Sequence, residues 1–106
     1  MSVRLTSFAA NDLLAAHEWY EQRSPGLGND FVRVVDATVG TIARDPRMFP
    51  PIHRGLRRMF VRRFPYALFY RIDPDAVRII AILHMKMDLK RLELHNRLRN
   101  KNCGCI

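Results

Sequence analysis

The chain has 106 residues, 48% of them hydrophobic, with eighteen Lys and Arg against ten Asp and Glu for a net charge of +8. That length and apolar content suit a single domain spanning residues 1–106 and exclude wholesale disorder. There is no run near the ~20 apolar residues that cross a bilayer and no signal-peptide stretch after Met1, so a cytoplasmic protein with no membrane segment is expected. The positive charge predicts attraction to a polyanion: nucleic acid, the ribosome or an acidic protein segment.

In chain order, Val3-Arg4-Leu5 is a first strand, and Ser7 is placed to cap a helix over Phe8 to Gln22. Ala9, Leu13, Ala16 and Tyr20 recur at helical spacing there. Trp19 and Tyr20 read as packing anchors. Ser24-Pro25-Gly26 ends the helix. A second helix starts near Gly28 or Asn29 and carries the stripe Phe31, Val34, Val35, Thr38, Val39, Ile42. Gly40 interrupts it, which suggests close packing against the first helix, and Asp45-Pro46 stops it. The short connection makes the two helices a hairpin. Residues 47–55, with two prolines and a glycine, read as a loop.

Three strands follow: Leu56–Phe64, Tyr66–Ile72 and Val77–His84. Asp73-Pro74-Asp75-Ala76 is a turn, and the short connections favour an antiparallel meander. The architecture is α+β, ordered β-α-α-β-β-β. One face of an antiparallel sheet is covered by the N-terminal helical hairpin.

Pairing Ile72 with Val77 sorts the side chains by parity. Tyr66, Leu68, Tyr70, Val77, Ile79, Ala81 and Leu83 then fall on a core face. Phe69, Arg71, Arg78, Ile80, Ile82 and His84 fall on the opposite face. Arg71 lies across from Arg78, a destabilising like-charge pair unless solvated or bound to an anion. These two arginines, with Arg63 and Lys86, are candidates for binding phosphates or carboxylates. His84, at a strand end, is a candidate general acid or base near neutral pH.

Residues 89–106 form a basic C-terminal segment, in which Asp88 is placed to cap a short helix bearing Leu89, Leu92 and Leu98. Cys103 and Cys105 are the only cysteines. They make a poor disulfide framework, and no further thiol completes a metal site with His95. No metal or organic cofactor is implied.

Trp19-Tyr20-Glu21, then Gly26-Leu27-Gly28 with Phe31, then Arg63-Phe64-Pro65-Tyr66 with Phe69-Tyr70-Arg71, and finally Ala81-Ile82-Leu83-His84 resemble the RelE/ParE superfamily of toxins over residues 3 to 88. The resemblance implies a small toxin of a type II toxin–antitoxin system, neutralised by a cognate antitoxin. ParE-like members inhibit DNA gyrase without hydrolysis. RelE-like members cleave mRNA on the ribosome, and Arg63 and His84 stand near basic positions of that kind. Here no tyrosine follows Tyr70, while Phe64-Pro65-Tyr66 looks closer to the ParE-like side. On that side Leu89 and Leu92 stand where many relatives carry Pro and Trp. Gyrase inhibition is therefore the first expectation. An mRNA endoribonuclease and an inactive antitoxin-binding module are the alternatives.

Overall fold

The computed structural model of the chain describes residues 2–85. Its elements are β1 (Val3–Leu5), α1 (Ser7–Arg23), α2 (Leu27–Arg44), β2 (Pro51–His53), β3 (Leu56–Phe60), β4 (Tyr66–Ile72) and β5 (Val77–His84). The five strands form one sheet in the order β1-β5-β4-β3-β2. The later strands pair antiparallel, but β1 runs parallel to β5, so the sheet is mixed. Parallel neighbours need a long crossover, and the stretch from α1 to β4 provides it.

The loop expected over residues 47–55 contains a strand. Pro51–His53 pairs with β3, and Arg54 and Gly55 both take positive φ, at 48° and 79°. That is the backbone of a tight two-residue hairpin turn. Pro51 is tolerated because β2 is an edge strand. In turn, β3 stops at Phe60 instead of Phe64. Val61 N donates to Tyr66 O at 2.9 Å and Tyr66 N to Phe64 O at 2.8 Å, which curls 61–65 into a loop.

Thr6, one residue earlier than expected, caps α1. Its Oγ1 accepts from Ala9 N at 3.1 Å and donates to Ile80 O at 3.2 Å, joining the helix start to the central strand. The hairpin between the helices closes on Glu21. Its carboxylate accepts from Gly26 N at 3.2 Å and Gly28 N at 2.9 Å, supplying acceptors to the open N-terminus of α2. Gly26 caps that helix at φ 88°. The close-approach glycine is Gly28. A Cβ there would stand 2.4 Å from His17 O and 2.6 Å from Glu21 Cγ. Gly40, expected to fill that role, has Arg44 as its nearest neighbour at 3.8 Å.

Both helices bury their apolar sides on one sheet face. Ala9, Ala16 and Tyr20 of α1 and Phe31, Val35 and Ile42 of α2 meet Leu68, Tyr70, Val77, Ile79 and Ile82. The Tyr70 hydroxyl donates to Pro46 O at 2.8 Å, so a buried ring keeps its polar tip satisfied at the rim. Trp19 is no core anchor. It is 49% exposed and sits under the Arg23 guanidinium, 4.1 Å from its ring centroid. Neighbours on a helix point about 100° apart, so Trp19 and Tyr20 cannot both face the core.

The register begins as expected, with Ile72 opposite Val77 and Arg71 opposite Arg78. It then shifts. Tyr70 pairs with Ile79 but Phe69 pairs with Ala81, leaving Ile80 as an extra residue in β5. Such a bulge changes the face of every side chain beyond it. Ile82 consequently joins the helix-side core, while Ala81 and Leu83 turn to the other face. Simple alternation had placed all three the other way round.

Candidate functional site

The bulge decides where His84 goes. It pairs with Tyr66, on the helix side of the sheet, and not with the arginine face. The imidazole meets the Tyr66 ring edge-on, with centroids 5.3 Å apart. β1 covers β5 only as far as Ile79, which leaves the outer edge of β5 facing α1 from Ile82 onward. There Asp12 of α1 accepts the Ile82 N–H at 3.0 Å. Between α1 and this edge lies a cavity of about 640 Å³, lined by Asp12, Trp19, Tyr20, Pro65, Tyr66 and His84 among others.

Burial pushes the hydroxyl pKa values of Tyr20 and Tyr66 up, and the neighbouring Tyr66 and Asp12 respectively add to the effect. Both phenols therefore stay protonated at neutral pH and act as hydrogen-bond donors. The groove is thus an aromatic wall with fixed polar points. Sequence reasoning treated Tyr66 as structural and passed over Asp12. The one signal for Asp12 was an acid beside an apolar helical stripe.

Arg63 lies in the 61–65 loop, which leads into Tyr66 and so sits at the His84 end of the sheet. It is exposed, adopts φ 70°, and holds its guanidinium 5.5 Å from the Phe64 ring centroid. A non-glycine residue in the left-handed region is uncommon and marks a locally over-determined backbone.

Arg71 and Arg78 lie towards the opposite end. Five residues of strand separate Arg71 from Tyr66, about 17 Å at strand rise. The structure therefore does not bring them together with His84. Their like-charge conflict is resolved internally. Arg71 Nε contacts Asp73 Oδ1 at 2.8 Å, while Arg78 Nη1 reaches Asp73 Oδ2 at 3.1 Å and Asp75 Oδ1 at 2.9 Å. Hydrogen bonding to Arg78 pulls the Asp75 carboxyl down to about 2, and the same contact pushes the Arg78 pKa further up. The turn acids expected merely to shape the chain reversal also neutralise the arginines beside them. Lys86 lies outside the described residues, as do Asp88, Leu89, Leu92 and both cysteines.

Among the described residues no group of three His, Cys, Asp or Glu could hold a metal ion, and no helix is long and apolar enough to cross a membrane.

A helical hairpin laid on one side of this sheet is also the fold of solved toxin–antitoxin proteins. The chain aligns with a structure described as the chromosomal ParDE TA system from P. aeruginosa with TM-score 0.72 and 23% identity, covering 79% of this chain and 95% of that one. The RelBE2 toxin–antitoxin complex from Mycobacterium tuberculosis aligns with TM-score 0.53 and 30% identity, over 78% and 95% of the two chains. Fold and sequence together define a toxin of the RelE/ParE superfamily. More narrowly, residues 3–89 match the family model for the ParE toxin of the type II toxin–antitoxin system parDE, and the chain belongs to that family. It is similar to Toxin ParE2 of Mycobacterium tuberculosis strains CDC 1551 / Oshkosh and H37Rv. Each is 28% identical over 83 residues, 77% of this chain and 79% of the relative.

Proposed function

We propose that this ParE-family toxin acts in the cytoplasm by binding DNA gyrase and blocking its turnover, and that a cognate antitoxin holds it inactive. The observation that carries the reading is the ParE family match across residues 3–89. The separation of Arg71 and Arg78 from Arg63 and His84 supports it, because phosphodiester cleavage needs cationic and proton-transfer groups converging on one reacting centre. A binding toxin has no such requirement.

The antitoxin proposal draws on the similar RelBE2 protein, whose structure is described as a toxin–antitoxin complex. Its natural docking place is the groove beside His84, where apolar side chains would meet Trp19 and the Tyr hydroxyls. Acidic residues would meet the surrounding positive charge.

Purified chain added to a gyrase supercoiling assay should inhibit the enzyme, and stoichiometric antitoxin should restore it. Unimpaired supercoiling at excess toxin overturns the gyrase reading.

The Tyr66–His84 contact, with Arg63 at the same sheet end, favours a second reading as a ribosome-dependent mRNA endoribonuclease. In it His84 moves the proton and Arg63, or Arg71 or Arg78 with Lys86, holds phosphate. Translation-coupled cleavage that disappears in Arg63→Ala and His84→Ala proteins of unchanged fold would establish it. Normal growth on induction without antitoxin would instead point to an inactive antitoxin-binding module.

A further inference from the structure

The sheet face turned away from the helices carries a second apolar cluster made of strand residues alone. Leu56, Ile80 and Ala81 are 0% exposed and Leu83 is 3% exposed, with Phe69 packed against them. Ala67, paired with Leu83, is 2% exposed on the same face. An antiparallel sheet with one bare face leaves that face wetted and largely polar. This one is apolar and dry. The helices do not account for it, because their buried residues all belong to the other cluster. The dryness is also local. Phe60, paired with Ala67 on this face but nearer the β2 edge, is 48% exposed.

Burial of this kind in a single chain needs a cover supplied by the same chain. The backbone passes β5, the strand at the centre of the cluster, and reaches Met85 with residues 86–106 still to follow. That segment contains Met87, Leu89, Leu92, Leu94 and Leu98. Even as a helix, residues 86–98 extend about 20 Å, against about 26 Å for β5.

We propose that residues 86–106 fold back over the second face and that their leucines seal Ile80, Ala81 and Leu83. Charge is compatible with this occupant. The segment is rich in Lys and Arg and would be repelled by two open arginines. Arg71 and Arg78 on this face are already paired with Asp73 and Asp75. An acidic partner segment would lose attraction for the same reason. The inference stands apart from the choice of gyrase or ribosome, since it concerns how the free chain covers its own sheet.

The test uses full-length chain made by cell-free synthesis with labelled Ile and Leu methyl groups. Nuclear Overhauser contacts are expected between Leu89, Leu92 or Leu98 and Ile80 or Leu83. A soluble gadolinium chelate should relax the Ile80 and Leu83 methyls no more than those of the helix-side Ile79. In a Leu89→Asp/Leu92→Asp protein their relaxation should rise towards that of Leu14, which is 58% exposed, while Ile79 stays shielded. Shielding of Ile80 that survives the double substitution overturns the proposal. So do contacts seen only between differently labelled copies, which would make a second chain the cover. If the double variant fails to fold, the wild-type contacts and chelate accessibility decide the question alone.

Discussion

Glu21 and Gly28 illustrate how single residues set the helical hairpin. The carboxylate occupies N–H groups at the start of α2, and the missing Cβ lets the helices touch. Gly28→Ala must push a methyl against the His17 carbonyl, which the backbone cannot easily yield. We expect a loss of about 1–3 kcal/mol, the usual cost of overpacking, read by urea unfolding. Backbone hydrogen bonds, Gly26 first, hold the Glu21 pKa below its ordinary value, and Arg78 holds Asp75 down to about 2. A depressed carboxylate pKa stabilises the fold above the unfolded value and loses that contribution as pH falls through the folded one. Thermal stability should therefore fall below the ordinary carboxylate range. Asp75→Asn should flatten the part of that fall between about pH 4 and pH 2. Both groups are solvent-accessible, so added salt should shrink the effect.

The decisive element is β5, and its decisive feature is the bulge at Ile80. Deleting Ile80 would restore plain alternation and send His84 to the arginine face, away from Tyr66. The expected signature is loss of the ring-current shift that Tyr66 imposes on the His84 protons. An unchanged shift in a folded deletion protein would refute the role given to the bulge. The strand also depends on Asp12, which takes the Ile82 N–H where β1 no longer reaches. Asp12→Ala leaves that amide without its acceptor beside the groove. A cost of about 1–3 kcal/mol follows for a partly buried donor, with faster exchange of the Ile82 amide than of Ile79.

At the scale of the molecule, the +8 charge is a long-range property that pairwise ion pairs near Asp73 do not cancel. It should steer an acidic antitoxin segment and speed association. Raising ionic strength should slow the association rate much more than it changes dissociation, as stopped-flow mixing would show. A rate that ignores salt would mean that apolar contact in the groove governs encounter as well as affinity.

The order of elements, the helical hairpin and the Ile72–Val77 register are written in local patterns: helical spacing in α2, the Asp-Pro-Asp turn and alternating apolar strands. Those signals act between neighbours in the chain, so they survive without a structure. The Thr6 bond to Ile80, the Asp12 bond to Ile82, the parallel entry of β1 and the extra residue in β5 depend on groups far apart in sequence. Alternation alone cannot reveal them, because a bulge costs one residue and leaves the hydrophobic pattern nearly intact. The sequence by itself determined the family, the fold class and the residues near the candidate site. Only the tertiary structure decided which of those residues meet: it put His84 with Tyr66 across a groove, and closed Arg71 and Arg78 onto acids of their own turn.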